Sequence, residues 1–197
     1  MDVLLIGGTG HIGAAVHRAL AGRHRVIVAT RTSEVSVDVS DPASIAALYE
    51  AVGTVDAVVA TVGKVPFKPL ADLVADDLRS GFENKVLGQL QLVLAGIDHL
   101  RDGGSFTLTS GIVGREPIRT GVAPAVANGA LDAFVRSAAA ELPRGLRINS
   151  VSPTVLTEAT AYHASFPGFI PAPAARVAQA YVRSVEGVDT GRTLIVD

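Results

Sequence analysis

The residues best placed to do chemistry come first in the chain. Gly7, Gly10 and Gly13 recur at three-residue intervals in Gly7-Gly8-Thr9-Gly10-His11-Ile12-Gly13, directly behind the apolar run Val3-Leu4-Leu5-Ile6. An unbroken apolar run of this kind predicts a strand buried on both faces. Ile12, Val16 and Leu20 then fall at helical spacing, so a helix opens on the glycine turn. The first N–H groups of such a helix have no intrahelical acceptor, and its dipole favours an anion there. A side chain at Gly7 or Gly10 would obstruct the turn or a pyrophosphate, and one at Gly13 would hold the helix off the sheet. Thr9, His11 and Ile12 complete the cradle, with His11 making either a backbone or a pyrophosphate contact. Neither Lys-Ser nor Lys-Thr follows the glycines, which argues against a nucleoside-triphosphate loop.

A second group of candidates sits at the ends of other apolar runs. Arg25 to Ala29 predicts a second strand ending in Thr30-Arg31-Thr32. At that strand end an acid prefers a ribose 2′-hydroxyl and an arginine accommodates a 2′-phosphate. Arg31 occupies the place, which favours NADP(H) over NAD(H). Asp38 and Val39 end a predicted short third strand within reach of an adenine, and Gly63 follows the buried run Val55 to Ala60. Thr109 and Ser110 end a fifth strand, where they either orient a substrate oxygen or cap the turn. Tyr162 and His163 are further candidate proton donors, with packing at a loop base as the competing role. Lys64, Arg115 and Arg119 suit an acidic substrate or plain solvation. The five histidines show no metal-ligand spacing, so no metal is expected.

The elements that must position these residues alternate strand and helix with short links, the pattern of a doubly wound α/β domain. The expectation is one Rossmann-type domain over 1–197, with a seven-stranded, mostly parallel sheet and helices on both faces. Helices are predicted at about 76–100 and 122–142, and a substrate or lid loop at about 152–173. Apolar residues make up 48% and charged residues 18%, as suits a sheet covered on both sides. A net charge of −2 gives no electrostatic reason to expect nucleic acid or an anionic membrane. No apolar run approaches membrane-spanning length, cysteine is absent, and a cytoplasmic location is expected.

In this order the landmarks resemble the short-chain dehydrogenase/reductase family over essentially the whole chain. They are the glycine turn, Asp38-Val39, Gly63, Asn84 in the long helix, Asn149-Ser150-Val151-Ser152-Pro153, and Thr190-Gly191-Arg192-Thr193 near the end. The resemblance implies a nicotinamide cofactor held by Gly7 to Gly13, Arg31, Asp38, Val39 and Gly63. It also implies a catalytic set of Ser, Tyr-x-x-x-Lys and Asn. Here Pro124 falls at the tyrosine position, Asn128 at the lysine, and Gly111 at the serine, with Ser110 one residue early. Of that set Asn84 alone matches, so Asn84, Ser110 and Asn128 are expected to form an altered or vestigial site.

Proline has no ionisable group, and asparagine supplies no cation to stabilise a tyrosinate. Asn128 can still hydrogen-bond a ribose hydroxyl. The expectation is an NADP(H)-dependent oxidoreductase acting on a small carbonyl or alcohol by a non-standard proton route. The alternative is a catalytically silent NADP(H)-binding protein, a redox sensor or scaffold. The two long helices resemble the family's dimerising pair, which implies a homodimer or homotetramer.

Overall fold

A computed structural model describes all 197 residues. Its sheet is built around β1 (Asp2–Ile6), whose side chains are buried from Val3 onward. β2 (Arg25–Thr30) flanks it on one side and β4 (Val55–Ala60) on the other. β3 (Val35–Ser36), β5 (Leu100–Thr109), β6 (Arg147–Pro153) and β7 (Thr193–Val196) complete the order β3-β2-β1-β4-β5-β6-β7. Every strand pair is parallel, in keeping with the expected doubly wound sheet. The order reverses between β1 and β4, which opens a crevice at their C-terminal ends.

Alternation along the strands feeds two cores. Leu4, Ile6 and Val58 face α2 (Pro42–Val52), α4 (Gly88–Gly96) and α5 (Val122–Ala138). Val3, Leu5, Ala57 and Val59 face α1 (His11–Leu20) and α6 (Ala174–Glu186). Local chemistry sets the helix ends. Asp41 caps α2, its carboxylate accepting from Ala43 N at 2.9 Å, and Pro42 stands at the first helical position.

Three expected boundaries move. The third strand stops at Ser36 because Asp38 turns the chain instead, accepting from both the N–H and hydroxyl of Ser40. The helix expected at about 76–100 is α3 (Ala75–Gly81), a π-helical segment Phe82–Leu87, then α4. A short 3₁₀ turn, Ile97–His99, follows, and Leu100 already belongs to β5. The helix expected to reach 142 ends at Ala138. The long segment after β6 carries a 3₁₀ turn, Thr160–Ser165, and is closed at its base by a bridge between Leu156 and Ala172.

Candidate functional site

The glycine turn forms as a tight bend between β1 and α1. Gly7 takes a φ of +85°, and its N–H donates to Ala29 O at 2.9 Å, tying the turn to β2. A Cβ on Gly13 would stand 2.1 Å from Gly7 O, so only glycine lets α1 pack this closely on the turn. Gly10 caps α1 with no side-chain hydrogen bond, which leaves the first N–H groups of His11, Ile12 and Gly13 facing outward. The cleft beyond is about 670 Å³ and is lined by Gly7, Thr9, Arg31, Asp38, Val39, Gly63, Lys64 and Asn84 among others. Hydrogen bonds from Ser40 hold the Asp38 carboxyl below the usual range, with the Arg31 charge adding a smaller effect.

The neighbouring cavity, about 250 Å³, lies beside β5 and β6 and holds Ser110, Gly111, Pro124 and Asn128 together. Pro124 is tolerated because it falls in the first turn of α5, where its missing N–H has no intrahelical acceptor. Asn128, one turn on and 3% exposed, faces Gly111, and a Cβ on that glycine would stand 3.1 Å from Asn128 Nδ2. Asn84 is turned away from this group. Its Nδ2 donates to Ser80 O of α3 at 2.8 Å, and the residue lines the cleft of about 670 Å³.

The next residue, Lys85, enters instead. Its Nζ donates to Asn128 Oδ1 at 2.7 Å and to Ser110 O at 3.0 Å. An ammonium has three N–H groups, so one remains for a ligand oxygen in the cavity that Lys85 lines. Its stem crosses Gly63, where a Cβ would stand 2.5 Å from Lys85 Cγ, and that glycine has a φ of +125°. Gln89, fully buried one turn later, fixes the surrounding backbone. It donates to Val62 O, Thr109 O and Lys85 O and accepts from Thr109 N. Burial pushes the Lys85 ammonium down to about 8, opposed by the charge of Asp132.

Lys85 is not among the residues that spacing and strand-end position single out. The available signal was a lysine four residues before Gln89 on a predominantly apolar helix, in a chain with only three lysines, Lys64, Lys68 and Lys85.

The remaining candidates divide. Thr109 points through the sheet, its hydroxyl donating to Ala60 O at 2.6 Å and lying 2.7 Å from Tyr181 Oη. Ser110 contributes its carbonyl to Lys85, while its hydroxyl is 3.5 Å from Val151 O. Tyr162 lines the cavity mouth against Phe67, with ring centroids 5.5 Å apart. His163 Nε2–H donates to Leu156 O at 2.9 Å and supports the segment from beneath. Lys64 lines both cavities, whereas Arg115 pairs with Asp197 and Arg119 lines neither. Tyr49 and Tyr181 are buried, and burial pushes both phenols upward. No three His, Cys, Asp or Glu side chains come together as a metal site.

Comparison with known proteins agrees with this fold. A family model described as enoyl-(acyl carrier protein) reductase matches residues 12–191. An uncharacterized oxidoreductase of Methylorubrum extorquens is 30% identical over 183 residues, covering 80% of this chain and 74% of that protein. The crystal structure of lin1944 from Listeria innocua is 47% identical, covers 100% of both chains and superposes with a TM-score of 0.98. A small-chain dehydrogenase solved in complex with NADPH is 27% identical over 100% of this chain and 96% of its own, with a TM-score of 0.89. The chain belongs to the short-chain dehydrogenase/reductase family of oxidoreductases.

Proposed function

We propose that the protein is an NADP(H)-dependent oxidoreductase for small apolar carbonyl compounds and their alcohols, with Lys85 supplying the proton that a tyrosine supplies elsewhere in the family. The observation that carries this is the Lys85 ammonium, seated on Asn128 in a cavity where Pro124 and Gly111 offer no hydroxyl.

The residues present fit a dinucleotide. The N-terminus of α1 and the glycine turn suit a pyrophosphate, and Arg31 suits a 2′-phosphate. Such a structural relative, solved with NADPH, supports the same cofactor class. When bound, the cofactor supplies or accepts a hydride at its nicotinamide ring. Lys85 places its free N–H at the substrate oxygen and transfers that proton as the carbonyl carbon gains the hydride. Neutral Lys85 is then reprotonated from water. Asn128 Oδ1 and Ser110 O fix the ammonium throughout. General acid help of this kind is worth about 10²–10⁴ in rate.

Phe67, Ile112, Val155 and Phe166 make the cavity walls apolar, and its volume of about 250 Å³ falls below that of pockets for drug-sized ligands. The loss of both family hydroxyls favours one other reading, a dinucleotide-binding protein without turnover. NADPH fluorescence titration beside NADPH oxidation over a panel of small aldehydes, ketones and conjugated enones separates the two. Turnover of any member supports the enzyme; tight binding with none leaves the silent binder.

A further inference from the structure

A neutral lysine amine carries two N–H groups and one lone pair, at the corners that three N–H groups occupy in the ammonium. Lys85 Nζ has two protein acceptors, Asn128 Oδ1 at 2.7 Å and Ser110 O at 3.0 Å. They take both N–H groups of the neutral amine, so its lone pair is left for the cavity of about 250 Å³ that Lys85 lines. The close pass of the stem over Gly63 holds the amine in that setting. Phe67, Ile112, Val155 and Phe166 present hydrocarbon to whatever occupies the space. The other two lysines lack this setting. Lys68 is ion-paired with Asp77, and Lys64, which lines the same cavity, is exposed and its amine is held by no hydrogen bond.

We infer that Lys85 is also a covalent capture site, forming an imine with small apolar aldehydes that enter this cavity. The inference shares the cavity with the oxidoreductase reading but does not need Lys85 to be its proton donor. The Nζ lone pair forms a bond to the carbonyl carbon while the C=O π pair moves onto oxygen. One N–H proton passes to that oxygen, giving a carbinolamine, and loss of water leaves the C=N bond. No oxidant or reductant enters, and hydration reverses the reaction. The protonated imine keeps one N–H, for which Asn128 Oδ1 and Ser110 O are the acceptors in reach. The captured tail lies against the apolar walls. Burial, which holds Lys85 at about 8, leaves more neutral nucleophile than an exposed lysine has.

Propanal with cyanoborohydride, added to the full chain at mildly alkaline pH without nucleotide, converts each imine into a stable propyl-lysine. Tandem mass spectrometry of the peptides then reads the three lysines separately. Lys85 is expected to be modified about tenfold or more faster than Lys64 or Lys68. Ile112→Trp, which narrows the cavity, is expected to slow Lys85 several-fold and leave Lys64 unchanged; Val155→Trp is the second variant should the first fail to fold. Lys85 modified no faster than Lys64, or at an undiminished rate in the narrowed cavity, overturns the inference. Rapid modification of Lys85, with NADPH turnover surviving in Lys85→Met, defeats the donor reading and leaves the capture site standing. Turnover lost in Lys85→Met, with Lys85 unmodified in the wild type, defeats the capture site and leaves the donor.

Discussion

Lys85 Nζ and Asn128 Oδ1 stand 2.7 Å apart, so the cation of this site comes from the helix before β5 while the helix after β5 offers only an amide. The family resemblance implies a lysine on the helix after β5 instead, at the position of Asn128. Restoring Tyr and Lys by Pro124→Tyr with Asn128→Lys places two ammonium groups on one spot, and like charges at that distance repel. The double variant is expected to lose stability and gain no turnover. Adding Lys85→Asn relieves the repulsion, and the triple variant is expected to exceed the double one at least tenfold in NADPH oxidation. Steady-state rates and melting curves of the two variants check this.

Activity in the reductive direction is expected to fall as pH rises through about 8, because the donor is the protonated form of Lys85. The alcohol-oxidising direction needs the neutral amine and is expected to rise over the same interval. Initial rates from pH 6 to 10 measure both limbs.

Lys85 also costs stability. Its value of about 8 in the folded protein lies below the 10.5 of a free lysine, so between the two the unfolded chain binds more protons. This group's contribution is least favourable below about 8 and improves as pH climbs toward about 10.5. Lys85→Met removes this pH dependence, so the wild type is expected to gain stability relative to the variant as pH climbs from about 8 to about 10.5. Urea unfolding of the two proteins across that interval measures the change.

Arg31 lines the nucleotide cleft beside Asp38, whose carboxylate is already engaged by Ser40. Arg31→Ala is expected to weaken NADPH about 10- to 100-fold and NADH far less. Equal losses in fluorescence titrations would remove Arg31 from the 2′-phosphate.

Much of this was legible in the sequence because it depends on backbone. The glycine turn, the buried strands and the strand-end Gly63 follow from residue type and period alone, and the structure forms each of them. The third strand was overextended because Asp38 hydrogen-bonds locally to Ser40, a choice that apolar patterning does not register. Asn84 and Lys85 mark the limit. One residue decides which side chain enters the cavity, and the π-helical segment Phe82–Leu87 departs from the 3.6-residue period by which faces are read.

Leu78, Phe82, Leu87 and Leu94 on the helical stretch before β5, with Val122 and Val126 on α5, are exposed apolar side chains. We propose that they pack against a second copy. Light scattering is expected to give a dimer or tetramer; a strict monomer contradicts it.

Single-turnover oxidation of bound NADPH by a small apolar ketone or aldehyde, compared between wild type and Lys85→Met, bears most directly on the account. It predicts equal NADPH affinity in the two proteins and a rate at pH 7 lower by about 10²-fold or more in the variant. Equal rates, with binding intact in both, would contradict the assignment of the proton to Lys85.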